Sequence, residues 1–350
     1  MNRALTRNSY IDFLKIIATT AVVLLHIVSA ALSTAVVAIS PNNEIIYRTL
    51  HVSMNWAVPV FVMISGALFL GNNEEYTFIT MFKYVRRLLC VLLSFGWFFS
   101  FLELVFEAKK ILPSQLFWAL LHVLTGNTWA HMWYLYMLIG LYLVTPIIKP
   151  FITSAKNKNG FLEQSLLILF LFSSVLPTVC ALLGVNSAFS LPFVSPYLFY
   201  YLAGYYASTV KITPLHIRFF VFLTIFSSLF IIAINIALAY GLAESFNSLN
   251  SYSSSVVAAM ALGIFGLIRT KIGSLSERKT NILKILSTLT FGIYIVHPLY
   301  INFAYKYLKF SPLHFPAWAS IPLFTFIVLI LSTISVLLMR KVPFVRKYFL

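Results

Sequence analysis

Ten apolar stretches, each long enough to cross a lipid bilayer as a helix, recur along this chain and limit what it can fold into. A helix needs about 20 mostly apolar residues to span the hydrocarbon core of a membrane. Hydrophobic residues make up 60% of the 350-residue sequence and charged residues only 10%, a balance that one water-soluble core could not bury. We therefore expect an all-α, polytopic membrane helix bundle of about ten transmembrane helices. The predicted spans are 10–38, 50–70, 82–106, 130–150, 162–184, 192–209, 216–240, 252–270, 284–304 and 316–340.

The distribution of positive charge predicts the orientation of these spans. The formal net charge is +16, and 20 of the 25 lysines and arginines fall in the segments that share a side with the N-terminus. Such an excess is typical of cytoplasmic loops, so we expect both termini to lie in the cytoplasm. The expected partner of this basic chain is the lipid bilayer and not a nucleic acid. The segment from Pro113 to Leu124 is too short to cross alone and is expected to be interfacial or re-entrant. Neither the two cysteines, Cys90 and Cys180, nor the histidine spacing predicts a metal site.

The first span carries ionisable side chains inside its apolar run. Lys15 and His26 are eleven residues apart, so at 100° per residue they point the same way within about 20° and lie about 16 Å apart along the helix axis. Asp12, the only aspartate in the chain, precedes Lys15 by about one turn. Charges at membrane depth are costly, so this stripe needs a bundle interior or a wet cavity. An Asp12–Lys15 ion pair at headgroup level, with His26 hydrogen-bonded to a neighbouring helix, is the purely structural alternative.

The N-terminal region also has some features of a cleaved signal peptide. Arg3, Arg7 and Lys15 would form its basic region, followed by an apolar run and a zone of small residues. The apolar stretch, however, begins before Lys15 and continues past the supposed cleavage zone. We therefore expect an uncleaved first span.

A basic group, Lys83, Arg86 and Arg87, follows the second span at the predicted cytoplasmic face. Ordinary anchoring of a membrane helix by positive charge explains such a group without any function. Alternatively, Lys83 and Arg86 are three residues apart, share a helix face and can clamp the phosphates of a cytoplasmic ligand. Both interpretations stay open from the sequence.

Aromatic residues and a second histidine mark the predicted outer half of the membrane. His131, Trp133 and Tyr134 open the fourth span, where an aromatic belt is the structural alternative to a sugar-binding surface. In the ninth span, His297 lies about 20 Å from the cytoplasmic entry, at the depth expected for His26. Its neighbour Pro298 withholds a backbone N–H from the preceding turn. We therefore expect the two histidines to share a cavity.

Four motifs in chain order resemble those of the membrane acyltransferase-3 family. Asp-x-x-Lys-x10-His in the first span is similar to its Asp-x-x-basic-x10-His signature, and VPVFVMISGALF is similar to its second-helix motif. KYVR at 83–86 resembles its basic-x-x-Arg motif, and GIYIVHPLY resembles its motif ending in Tyr-x-x-His-Pro. The stretch 131–148 further resembles the branch related to the O-acetyltransferase of enterobacterial common antigen. Lys15 replaces the arginine of many members, and we expect no hydrolase-like domain to be fused to this one.

The resemblance implies a single integral-membrane acyltransferase-3 domain over residues 1–350, in a bacterial cytoplasmic (inner) membrane. It would transfer an acyl group, usually acetyl, from cytoplasmic acetyl-CoA or another acyl-CoA to a hydroxyl of an outward-facing surface polysaccharide or lipid-linked glycan. Direct transfer and an acyl-histidine intermediate both stay open. A transporter or flippase of a lipid-linked sugar is the alternative function, and an inactive or sensory membrane protein is a third. The resemblance implies a catalytic role for Asp12, Lys15 and His26, with His26 as the general base. Lys83, Arg86 and Arg87 would bind the phosphates of the donor. The residues that would bind the substrate are His131, Trp133, Tyr134, Tyr294 and His297.

Overall fold

A computed structural model describes residues 8–34, 41–71, 76–155, 160–185, 195–241, 249–272 and 275–349 of the chain. Within these ranges all regular secondary structure is helical. Eight helical segments are long and apolar enough to cross a membrane, which confirms the all-α polytopic fold class. The α-helices are α1 (Ser9–Thr34), α2 (Pro41–Ser53), α3 (Ala57–Gly71), α4 (Phe78–Val91), α5 (Trp97–Ala108), α6 (Ser114–Thr125), α7 (Trp133–Ala155), α8 (Phe161–Phe170), α9 (Leu176–Leu182), α10 (Pro196–Thr209), α11 (Pro214–Ala239), α12 (Ser255–Lys271), α13 (Glu277–Asn302), α14 (Ala317–Met339) and α15 (Pro343–Tyr348).

Eight of the ten predicted spans correspond to these long apolar segments. The other two correspond to α10, with 14 residues, and α12, with 17 residues. At 1.5 Å per residue these helices are about 21 Å and about 26 Å long, short of the bilayer core of about 30 Å. Part of the predicted span 192–209 lies outside the described residues. A complete crossing by α10 and α12 therefore stays a prediction.

The structure adds a helix, α2, where the sequence interpretation placed a connection and the start of the second span. Glu44 and Arg48 form an i,i+4 ion pair at 2.7 Å on this helix, while Tyr47 and Val52 are buried. A turn then precedes α3. Pro59 lies in the first turn of α3, where backbone N–H groups have no intrahelical acceptor, so the helix accommodates the proline without a break.

The helices group into two compact units. One consists of Met1–Asn72 with Lys158–Ser335, and the other of Asn73–Asn157 with Val336–Leu350. The first unit thus contains α1 to α3, α8 to α13 and most of α14, while the second contains α4 to α7 and α15. The expectation of a single functional domain stays a prediction.

Two glycines allow close packing of α3 on α10 in the first unit. A Cβ atom at Gly66 would overlap the carbonyl oxygen of Tyr201, and one at Gly204 would overlap the carbonyl oxygen of Met63. Each glycine therefore faces the backbone of the opposite helix. This contact is the close helix approach that small residues in membrane helices favour.

Candidate active site

In the first unit α1 packs along α13 and the π-helical turn Phe303–Tyr307 that extends it, and contacts at several levels join them. At one end the Ser287 hydroxyl donates a hydrogen bond to Asp12 Oδ1 at 2.6 Å, and Asp12 is only 3% exposed. Further along, the imidazole rings of His26 and His297 lie with their centroids 5.2 Å apart. Beyond them the Tyr305 hydroxyl donates to the Ile27 carbonyl at 3.1 Å. The structure therefore brings His26 and His297 together at one level of the unit.

Local hydrogen bonding fixes the ring of His297. The side chain is completely buried, and its Nδ1 lies 3.0 Å from the carbonyl oxygen of Ile293, one turn earlier on α13. A carbonyl only accepts hydrogen bonds, so Nδ1 carries the hydrogen, and in the neutral ring Nε2 holds the lone pair. The ring of Tyr294 has its centroid 6.3 Å from that of His297. Pro298 follows directly and has no N–H to donate to the Tyr294 carbonyl.

The polar stripe of α1 keeps the geometry expected from its spacing. The helix is unbroken from Ser9 to Thr34, so Lys15 and His26 share a face and lie about 16 Å apart along the axis. Both side chains are half-buried. Thr19 donates its hydroxyl hydrogen to the Lys15 carbonyl at 2.8 Å, so this hydrogen bond lies within α1. Because Asp12 bonds to Ser287, the start of the stripe is tied to α13.

Sequence reasoning missed Tyr47, His51 and Tyr305. His51 on α2 lies close enough to His26 for their charges to interact. Tyr305 belongs to a π-helical turn, Phe303–Tyr307, that extends α13 and lets its hydroxyl reach α1. Tyr47 and His51 are spaced four residues apart just after the first span. This i,i+4 pair is the one signal that could have identified α2 as part of the site.

The predicted donor-binding residues lie in the second unit. Lys83, Arg86 and Arg87 all belong to α4, and all three side chains are exposed. Arg87 lies close enough to Tyr142 and Arg340 for their charges to act on it. The cations are therefore accessible to an anionic group. A phosphate clamp and a membrane anchor both require such access, so the two interpretations stay open.

The outer aromatic residues of the prediction also belong to the second unit. His131 is 3% exposed, and its ring lies 5.8 Å from that of Phe99. Phe99 in turn stacks on Trp129 at 4.4 Å. Trp133 and Tyr134 meet edge to face at 6.2 Å. The structure thus groups His131 with the aromatic packing of this unit, whereas it groups Tyr294 and His297 with His26 in the first.

The chain matches a known protein family. A family model described as an acyltransferase domain, that of the acyltransferase-3 family, matches residues 8–340. This range includes every site residue predicted from the sequence. No curated protein and no solved structure matches the chain.

Proposed function

Since the chain belongs to the acyltransferase-3 family, we propose that it transfers an acetyl group from cytoplasmic acetyl-CoA to a hydroxyl of an outward-facing surface polysaccharide or lipid-linked glycan. The contact between His26 and His297, at the end of a stripe that contains Lys15, is the observation that best supports this reaction. The resemblance of 131–148 to an O-acetyltransferase branch supports acetyl as the group. The excess of basic residues in alternate loops supports cytoplasmic termini, and the family resemblance supports a location in a bacterial inner membrane.

On the donor side, the exposed cations of α4 bind the phosphates of acetyl-CoA. Guanidinium and ammonium groups form charge-assisted hydrogen bonds with phosphate oxygens, and Lys83 and Arg86 share one face of α4. Lys15 then guides the pantetheine arm or stabilises negative charge on the thioester oxygen, a contribution that is largest where water is excluded. Asp12, bonded to Ser287, orients Lys15 and does not itself react.

His26 acts as the general base for the acceptor. Imidazole titrates near neutrality and can accept and return a proton. As the acceptor oxygen attacks the thioester carbonyl carbon, His26 takes the hydroxyl proton. The carbon–sulfur bond then breaks, and the coenzyme A thiolate leaves and recovers that proton. His297, with the lone pair on Nε2, accepts a hydrogen bond from a neighbouring hydroxyl of the acceptor sugar and so positions the reacting hydroxyl beside His26.

The remaining acceptor contacts come from aromatic side chains. Tyr294 lies next to His297 in the first unit and offers a ring face and a hydroxyl. His131, Trp133 and Tyr134 of the second unit are the other proposed sugar contacts, and Trp133 is the least buried of the three. Aromatic rings with neighbouring donors suit the apolar faces and hydroxyl edges of sugars.

The experiment that tests this function measures acetyl transfer from radiolabelled acetyl-CoA to extractable glycan in membranes with and without the protein. We expect label only where the intact protein is present, and none with His26→Ala at equal abundance. If the intact protein gives neither labelled glycan nor release of coenzyme A, the acyltransferase proposal is wrong. Movement of an unmodified lipid-linked sugar would then favour a transporter.

A further inference from the structure

Tyr47 and Ser320 are among the buried hydroxyl groups of the first unit that lack a hydrogen bond of ordinary geometry. Tyr47 on α2 is 1% exposed and Ser320 on α14 is 3% exposed. The two hydroxyls interact with each other, and no other side chain or backbone group of the described residues satisfies them. Folded proteins seldom leave buried hydroxyl groups unsatisfied, and such groups commonly mark the place of a ligand or a bound water.

Contacts of α2 place Tyr47 in the same polar layer as His26. Tyr47 and His51 are one turn apart on α2 and share a face, and His51 lies close enough to His26 for their charges to interact. Tyr47 is also close to Tyr305, whose hydroxyl is bonded to Ile27, the residue that follows His26. Tyr47 and His51 therefore approach the histidine from α2, and Ser320 joins this group through its interaction with Tyr47.

The chemistry of this layer favours an uncharged, hydroxyl-rich ligand. Hydroxyl and imidazole groups both donate and accept hydrogen bonds, as the hydroxyls of a sugar do. The cation on α2, Arg48, lies close enough to His51 for their charges to interact, but it is also paired with Glu44 at 2.7 Å. Its charge therefore offers little attraction to an acidic sugar.

We infer that Tyr47, His51 and Ser320 form an acceptor subsite that holds a neutral sugar ring beside His26. This inference rests on the proposed function, because the sugar it positions is the acceptor of the acyl group. The Tyr47 and Ser320 hydroxyls bond to ring hydroxyls next to the one that reacts. His51 contacts the same ring from the adjacent turn of α2.

A binding experiment without any acyl donor tests the subsite. The probes are radiolabelled octyl β-glycosides of glucose, galactose, mannose and N-acetylglucosamine, with the protein in nanodiscs. Mirror-image octyl β-L-glucoside corrects for partition into lipid. We expect saturable binding of at least one neutral glycoside and weaker binding of octyl β-D-glucuronide. Tyr47→Phe and Ser320→Ala should each weaken the binding by about 3- to 10-fold, because each removes one hydrogen bond.

Ser332→Ala is the matched control. Ser332 lies on the same helix, its hydroxyl is equally buried without a partner, and it is about 18 Å further along α14. This variant should bind like the wild type, and size-exclusion profiles check that each variant folds. The inference is wrong if no neutral glycoside binds saturably, if Tyr47→Phe and folded Ser320→Ala bind as tightly as the wild type, or if the glucuronide binds equally well. Labelled acetyl transfer in the same nanodiscs tests the proposed function separately.

Discussion

The imidazole rings of His26 and His297 lie 5.2 Å apart, although one belongs to the first helix of the chain and the other to α13. The Nδ1–H of His297 is committed to the Ile293 carbonyl, so its Nε2 is the nitrogen that can serve a ligand. A histidine that accepts the proton of the reacting hydroxyl and a neighbour that binds an adjacent hydroxyl of the same sugar form the pair that we propose for acyl transfer. Mutations of these two residues and of the helices that hold them therefore have specific expected effects.

Replacement of His26 by alanine should lower acetyl transfer by about 100- to 10,000-fold, the usual contribution of a general base. The side chain is half-buried, so the variant should still insert and fold. Labelled glycan per unit of membrane protein measures the effect. His122→Ala, a half-buried histidine on α6 in the second unit, is the control and should transfer normally. Wild-type transfer by the His26 variant would eliminate the general-base assignment.

Two substitutions of His297 should separate the roles of its ring nitrogens. His297→Gln places a polar atom near the position of Nε2, whereas His297→Asn places one near Nδ1. If Nε2 accepts a hydrogen bond from a neighbouring hydroxyl of the acceptor sugar, the Gln variant should retain about tenfold more transfer activity than the Asn variant, since one hydrogen bond is at stake. Initial rates at saturating acetyl-CoA give the comparison. Higher activity in the Asn variant would contradict the assignment.

The Asp12–Ser287 hydrogen bond should show strong coupling in a double-mutant comparison. A hydrogen bond to a charged group contributes about 1.5–3 kcal/mol, so Asp12→Ala and Ser287→Ala should each lower the apparent melting temperature in detergent. The double variant should melt close to Asp12→Ala alone, because the bond can be lost only once. The control is Ser165→Ala, because the Ser165 hydroxyl bonds to the Phe161 carbonyl of its own helix. Combined with Asp12→Ala, it should give an additive loss. Fully additive losses for Asp12 and Ser287 would show that the contact is not important for stability.

Alanine at Gly66 or Gly204 should disrupt the contact between α3 and α10. Each new methyl group would overlap a backbone carbonyl of the other helix, which cannot move aside as a flexible side chain can. We expect a large loss of monodisperse protein on size-exclusion chromatography. A Cβ at Gly140 on α7 would meet open space, so Gly140→Ala should be neutral or stabilising by up to about 1 kcal/mol. Normal yields for both packing variants would refute the close contact.

Arg86→Ala should weaken donor binding more than it slows the saturated enzyme. Loss of one phosphate contact should raise the KM for acetyl-CoA by about tenfold and leave kcat nearly unchanged. Arg278→Ala removes an exposed cation from the first turn of α13 and should leave the donor KM unaltered. Titration of acetyl-CoA in washed membranes measures both constants. An unchanged KM for Arg86→Ala would favour the anchoring interpretation of this basic group.

Local features of the sequence were sufficient for the fold class and for the stripe of α1. Hydropathy identified the long apolar helices because each one depends only on the composition of its own 20 or so residues. The relation between Lys15 and His26 followed from the fixed rise and rotation of an α-helix. The length of α6, with 12 residues, also matched the short segment expected after Pro113. Its placement at the membrane interface stays a prediction.

Contacts between distant helices were decided only by the tertiary structure. Similar depth suggested that His26 and His297 share a cavity, but depth does not say which helices are neighbours. The bond from Ser287 to Asp12 and the approach of Tyr47 to Ser320 had no periodic signal either. The i,i+4 spacing of Tyr47 and His51 points to a helix but does not show that α2 ends before α3 begins. In a bilayer, helices associate through shape and a few polar contacts, because lipid is as apolar as the helix surfaces. Such complementarity depends on residues far apart in the chain, so it appears only when the helices are packed.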